Sequence, residues 1–327
     1  MRILSGEDVR QAISMKEAIA VTANAFVQLT AREAALPLRA RIELPHHEAV
    51  SLFMPAYLAQ SQALGTKIVS VFPHNPTRFN APSIYALIAL FDAETGRPVA
   101  VMDGTYLTAL RTGAVSGVAT QYMARADTHV LALFGAGVQA RTQVQAVCAV
   151  RPIREIRIVN RTPARADDLI ELLKTDGIDA AIERVDNAAA ALRGADVVCC
   201  ATGATVPLFD AADIQPGTHI NAIGSHDPRM AEVPAATVAR ARVVVDEHAA
   251  ARAEAGDILQ AEAAGLIDAG HVLGELGAVI AGSVAARTRP EDVTFFKSVG
   301  VAIQDMAVAH RVLQNAAARG LGVNVTL

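Results

Sequence analysis

Several things are scarce in this chain. Of its 327 residues only three are cysteine and none is tryptophan; aromatics make up 4% and charged residues 19%. Cys199 and Cys200 are neighbours in what reads as a buried strand and Cys148 stands alone, so no disulfide framework can be assembled. That predicts a reducing compartment, the cytoplasm. An excess of either charge is missing as well, with 29 Lys and Arg against 33 Asp and Glu and a net charge of −4. Lacking a basic run, or a basic patch interleaved with aromatics, the chain has nothing to follow a phosphate backbone, and no nucleic-acid partner is expected. The longest charge-free stretch, 49–66, is interrupted by Pro55, Gln60 and Gln62, and the first residues lack a positive segment followed by an apolar one. Neither a membrane span nor a signal peptide is expected. His46 and His47 are adjacent and cannot both face one ion from a strand, and the other histidines are scattered, so no metal site is predicted.

What the chain does have is apolar content: 52% of its residues are hydrophobic, too many for disorder and enough, at this length, for two domains. Ser14 and Glu17 have capping-box spacing, and Ala18, Val21, Ala25, Phe26 and Leu29 recur at helical spacing, which predicts a helix over 14–32. The stretch 36–92 is punctuated by prolines and reads as mostly β; 107–123 reads as a long Ala-rich helix. Beyond it, apolar strands at 130–134, 155–159, 197–201, 219–223 and 243–246 alternate with helices starting near Ala140, Ala164 and Asn187. Continuous apolar strands separated by amphipathic helices predict an α/β fold: a Rossmann-type, doubly wound parallel sheet beside a β-rich domain. A final helix is expected over 298–319, with no periodicity to say which domain it packs on.

GAGVQA at 135–140 directly follows the strand 130–134 and opens a helix. Gly135 suits the tight turn, Gly137 the close approach of a pyrophosphate, and Ala140 the packing of helix on strand, while the unpaired N–H groups of the helix start face an anion. With a strand before, a helix after and a second strand at the right distance, the segment predicts a dinucleotide site at Gly135, Gly137, Val138, Gln139 and Ala140. The alternative is a glycine-rich turn that merely closes the unit. Where an acid usually binds the adenosine ribose stand Asn160, Arg161 and Thr162. With no carboxylate to repel a 2′-phosphate and a guanidinium to bind it, NADPH is expected in preference to NADH, unless Arg161 is only a solvated surface charge.

Several motifs, in order along nearly the whole chain, resemble the ornithine cyclodeaminase and μ-crystallin family. They are MPAY at 54–57, GTK at 65–67, the run 103–120 containing ALRTGAVSG, GAGVQA, NRT, HINAIGS at 219–225 and FKSVGVAIQD at 296–305. The resemblance implies a homodimer, with 1–115 and 300–327 as the substrate and dimerisation domain and 116–299 as the NAD(P)-binding domain. It also implies that a small α-amino or α-imino acid lies against the nicotinamide, its carboxylate gripped by Arg39, Lys67 and Arg111. Three cations from separate segments make chemical sense if they converge, since one carboxylate accepts several charge-assisted hydrogen bonds. Taken singly, each reads as an ordinary surface or strand-end charge, and Arg41 competes with Arg39 for the role. The family pattern further implies cofactor contacts at Ser83, Thr112, Gln139, Thr202, Ile223 and Ser298; Thr202 and Ser298 read equally well as helix caps.

Two departures bear on the reaction. Cyclodeaminases of this family carry a catalytic Asp where this chain has His226, with Asp227 one residue later, and a Glu where it has Leu52. A distal ammonium beside Leu52 would be desolvated and unpaired. The expectation is therefore NADPH-dependent reduction of a small cyclic or acyclic α-imino acid, such as Δ1-pyrroline-2-carboxylate to proline, or the reverse oxidation. His226 is a candidate proton donor, or a loop histidine that only hydrogen-bonds. The alternatives are an ornithine cyclodeaminase using Asp227, and an NADPH-dependent ligand-binding protein of the μ-crystallin type.

Overall fold

In the computed structural model, which describes residues 1–326, the chain divides into two compact units: Met1–Arg111 together with the chain from Val301 on, and Thr112–Gly300. No helix among the described residues is long and apolar enough to cross a membrane.

The first unit opens with two short-range signals that set helix starts. Ser5 Oγ accepts from Asp8 N–H while Ser5 N–H donates to Asp8, and Ser14 and Glu17 repeat the arrangement, starting helices Gly6–Ala12 and Met15–Thr30. Each such cap contributes about 1 kcal/mol. The second helix ends two residues before the position expected from the sequence. The strands are β1 (Arg2–Leu4), β2 (Ala34–Ala35), β3 (Ala40–Leu44), β4 (Ala49–Leu58), β5 (Ala63–Val71), β6 (Ile84–Phe91) and β7 (Pro98–Asp103), interrupted by helical turns at Pro45–His47 and Asn75–Phe79. They form one sheet in the order Val323–Asn324, β1, β7, β6, β5, β4, β2, with β3 also paired on β4. Because side chains alternate across a strand, the register β4–β5–β6 puts Leu52, Met54 and Ala56 on the same face as Val69, Lys67 and Gly65, and as Ala86, Ile88 and Leu90.

Helix Ala302–Arg319 packs on β4, β5 and β6 and on helix Met15–Thr30, so the last helix belongs to this unit. Its buried residues include Ile303, Met306 and Val312, each fully enclosed. It begins four residues later than the sequence predicts, for a local reason. Gly300 has φ +80 and the N–H groups of Val299 and Gly300 donate to the Asp246 carboxylate, so 298–300 form a turn that cannot be helix. Gly320, at φ +69, ends it in the left-handed conformation that glycine adopts without strain.

The second unit holds β8 (Val130–Phe134), β9 (Glu155–Val159), β10 (Ala181–Arg184), β11 (Val197–Cys200), β12 (His219–Ala222), β13 (Arg242–Val245), β14 (Val272–Glu275) and β15 (Thr294–Lys297). All pairings are parallel, in the order β10-β9-β8-β11-β12-β15-β13-β14. Helices Val138–Val150 and Pro163–Thr175 lay Val144, Val147, Leu169 and Leu173 against Leu131, Leu133, Ile156 and Ile158 in one buried cluster. The doubly wound sheet is thus as expected. Three strands were not anticipated, β10, β14 and β15, and β15, which arrives last in sequence, inserts between β12 and β13. The unit boundary falls inside helix Gly104–Met123, whose residues 111–120 are all buried, the polar Arg111, Thr112, Ser116 and Thr120 among them.

Candidate active site

Two constellations stand out, one in each unit. In the first unit, Lys67 projects from the helix-covered face of β5 and is 1% exposed. Its Nζ donates to Asp305 Oδ1 at 3.0 Å and lies 2.9 Å from Oδ2. Arg111 Nε donates to the same Oδ1 at 3.0 Å and its Nη1 to Gln304 Oε1 at 2.8 Å. Gln304 and Asp305 lie in the first turns of helix Ala302–Arg319 and are fully buried, so two cations converge on one enclosed carboxylate. Burial pushes the Lys67 ammonium down from 10.5 to about 8; the Arg111 and Arg39 charges push the same way and Asp305 opposes them. Arg39 is therefore the third cation felt at this point. Arg41 is engaged elsewhere, its Nη2 2.8 Å from Glu43 Oε1 at the surface. Leu52 occupies the same sheet face as Lys67, two positions along β4 from Met54, which pairs with Lys67.

Asp305 and Gln304 were missed by sequence reasoning. Asp305 stood in a recognised segment, but a carboxylate among cations was no part of the substrate clamp expected from sequence. The Gln304 Nε2 is buried and without a partner among the described residues, so the cluster ends in a donor.

In the second unit, a cavity of ≈ 490 Å³ opens at the carboxyl ends of β8, β9 and β11. Gly135, Gly137, Asn160, Arg161, Thr162 and Thr202 all line it, and the lining contains two arginines and no carboxylate. The two glycines are there for different reasons. Gly135 has φ +105, and a Cβ on it would stand 2.5 Å from Ala201 O, so the turn itself demands glycine. Gly137 has an ordinary φ of −89, and nothing lies within 4 Å of where its Cβ would be. The space above it is open, as a backbone that receives a pyrophosphate requires. Ala140 is fully buried within the strand–helix cluster, which is the packing role that its size predicts. Val138 is 72% exposed on the first turn of the helix, and Gln139 is half-buried beside it.

Asn160 is a staple rather than an open ligand: its Oδ1 accepts from Ala136 N–H at 3.2 Å and its Nδ2 donates to Thr162 O at 2.8 Å. It fixes the glycine turn to the turn after β9. Arg165, one helical turn beyond Arg161, also lines the cavity and was not foreseen, because an arginine on an amphipathic helix reads as an exposed-face charge. Of the remaining expected cofactor contacts, Thr112 is buried and accepts from Gln143 Nε2 through its carbonyl, Ile223 is 9% exposed at the end of β12, and Ser298 Oγ donates to Asp246 at 2.8 Å. Ser83 belongs to the first unit, where its carbonyl accepts from Phe72 N–H.

His226 is exposed in the loop after β12, with Nδ1 2.8 Å from Gly224 O, to which it donates. Its neighbour Asp227 is engaged by Arg229, which donates Nε and backbone N–H to Oδ1 and Nη2 to Oδ2 at 2.8, 2.9 and 3.0 Å. These bonds pull the Asp227 carboxyl down to about 2. Among the described residues no group of three or more His, Cys, Asp or Glu is placed to hold a metal ion.

Residues 1–320 match the model of the ornithine cyclodeaminase/mu-crystallin family. A Δ1-pyrroline-2-carboxylate reductase of Bacillus cereus (strain ZK / E33L) is 36% identical over 327 residues, covering 99% of either chain. The structure of Thermococcus litoralis Δ1-pyrroline-2-carboxylate reductase, in complex with NADH and L-proline, matches with a TM-score of 0.95 at 40% identity, over 99% of this chain and 100% of that one. An archaeal alanine dehydrogenase dimer with bound NAD matches with a TM-score of 0.92 at 34% identity, over 100% of this chain and 99% of that one. With its motifs, its fold and its full length accounted for together, this chain belongs to the ornithine cyclodeaminase/mu-crystallin family.

Proposed function

We propose that the protein reduces a small α-imino acid, with Δ1-pyrroline-2-carboxylate the first candidate and proline the product, and that the reverse amino-acid oxidation uses the same site. The chain is a nicotinamide-dependent oxidoreductase of imino acids. The observation that carries the substrate reading is the gathering of Lys67 and Arg111 on Asp305, with the Arg39 charge also felt at Lys67. Lys67 and Arg111 against the one Asp305 carboxylate leave a net positive, enclosed pair, and an α-carboxylate is the group that such a pair takes up most readily. Asp305 keeps both donors oriented before substrate arrives, so that little side-chain freedom is lost on binding. An apolar Leu52 on the same sheet face suits the ring carbons of a pyrroline and leaves a distal ammonium without a partner.

The cavity at Gly135 and Gly137 fits a dinucleotide, because an open space stands over Gly137 and the glycine turn presents its backbone there. The nicotinamide, when bound, supplies the hydride for the imine carbon. His226 is assigned to the proton that completes the amine. Arg161 and Arg165, on a wall with no carboxylate, support a preference for NADPH, finer than the NADH and NAD named with the relatives. A homodimer is supported by the outer sheet face of the first unit, where Ile42, Tyr85 and Leu87 are 54%, 53% and 40% exposed. Three unpaired cysteines agree with the cytoplasm.

The clamp is tested by Lys67→Ala and Arg111→Ala. Each is expected to lower kcat/KM for the imino acid about a hundredfold, the scale of a lost charge-assisted contact, while NADPH still binds. Near-normal turnover in either variant would remove the basis of the reading.

A further inference from the structure

We infer that Glu232 is a positioning residue for the dinucleotide: its buried carboxylate ties the loop after β11 to the loop after β12 and so holds one wall of the cofactor cavity in register. The inference rests on reading that cavity as the cofactor site.

Glu232 is fully buried, and four donors from two loops meet on it. Its Oε1 accepts from Thr202 N–H at 2.6 Å and from Thr202 Oγ1 at 2.8 Å; Oε2 accepts from Gly224 N–H at 2.7 Å and from Ser225 N–H at 3.2 Å. Thr202 and its neighbours Gly203 and Ala204 line the cavity, while Gly224 accepts the His226 ring. Beyond the last ladder bond of a parallel strand, backbone N–H groups have no partner of their own, and the carboxyl edge of the sheet is where an α/β fold binds its ligand. One carboxylate here satisfies donors from two adjacent strand exits at once.

The surroundings fit that duty. A Cβ on Gly224 would stand 2.1 Å from Thr202 O and 2.4 Å from Glu232 Oε1, so the loops approach at a distance that only glycine permits. Behind Glu232, Asp257 Oδ1 accepts from the backbone N–H of Glu232 and Val233 at 2.6 and 2.9 Å, and its Oδ2 lies 2.9 Å from Lys297 Nζ. Asp257 and Lys297 are also fully buried. Enclosing two carboxylates and one ammonium is expensive, and well-packed apolar residues would hold a core equally well. What apolar residues cannot do is fix the direction of four N–H and O–H donors.

The same unit contains a built-in control. Asp292, before β15 and so at the amino edge of the sheet, gathers Thr288 N–H, Thr288 Oγ1, Arg289 N–H and Arg289 Nε at 2.9 to 3.1 Å, and it lines no cofactor cavity.

The test compares full-length Glu232→Gln, Glu232→Asp, Asp292→Asn and Gly137→Asp by NADPH affinity, read from the fluorescence of NADPH itself, by kcat and KM for the imino acid, and by melting temperature. Glu232→Gln turns an amide NH2 toward two donors. It is expected to weaken NADPH binding tenfold or more and to lower kcat, with the imino-acid KM changed less than twofold. Glu232→Asp keeps the charge but reaches fewer donors and falls between. Asp292→Asn lowers the melting temperature and leaves NADPH affinity within twofold. If Glu232→Gln, or Glu232→Asp where the first does not fold, lowers only the melting temperature, as Asp292→Asn does, Glu232 is a structural staple and the inference is overturned. Gly137→Asp places a negative charge in the open space; if it leaves NADPH binding intact, the cavity reading itself fails, a result separate from any at Glu232.

Discussion

Lys67 should impose an alkaline limb on kcat/KM. The group is protonated below about pH 8 and neutral above it, and only the ammonium grips a carboxylate. At pH 9 about a tenth of the free enzyme then carries the charge, and kcat/KM should have dropped about tenfold from its plateau, continuing tenfold per pH unit. Stability should move the other way. An unfolded lysine titrates near 10.5 and the folded one near 8, so between those values the unfolded state binds more protons and stability rises with pH. The full effect is on the order of 3 kcal/mol, at about 1.4 kcal/mol per pH unit of displacement. The assay is a pH series of NADPH oxidation with Δ1-pyrroline-2-carboxylate, run beside Lys67→Arg, whose guanidinium stays charged throughout. The variant should be slower but should lack the limb near pH 8. If both proteins share the limb, it belongs to the substrate or to another group, and the account of Lys67 is wrong.

Other residues give independent checks. Arg161→Ala should weaken NADPH by about 1–3 kcal/mol and NADH far less, in paired titrations; a preference of the unaltered protein for NADH would refute the 2′-phosphate assignment. Gly135→Ala forces a side chain into φ +105 and against Ala201 O, and should cost about 1–3 kcal/mol in thermal unfolding along with cofactor affinity; an unchanged melting temperature contradicts the strain argument. Because Asp227 is engaged by Arg229, ornithine with NAD+ should yield no ammonia; ammonia release abolished by Asp227→Ala would restore the cyclodeaminase reading.

Much of this molecule was legible because its signals are local. The capping box at Ser14, the glycine turn after β8 and the apolar runs of the parallel strands depend on neighbours a few residues away. Signals that depend on long-range pairing were not legible. The strand Thr294–Lys297 is four residues long and fully buried, and nothing in its sequence says that it slots between β12 and β13. The late start of the last helix is decided by Asp246, more than fifty positions upstream, and not by the helical propensity of 298–301. The proposed clamp shows both cases. Lys67, Arg39 and Arg111 were singled out through motifs, whereas Asp305 as the anion on which Lys67 and Arg111 meet appears only when β5 and two helices are placed together.

The purified protein supplied with Δ1-pyrroline-2-carboxylate and NADPH gives the most direct measurement of the proposed reaction. The account predicts NADPH oxidation matched mole for mole by proline, lost in Lys67→Ala and in Gly137→Asp. Proline formation that survives both substitutions, or no oxidation with this or any other small α-imino acid, would contradict it.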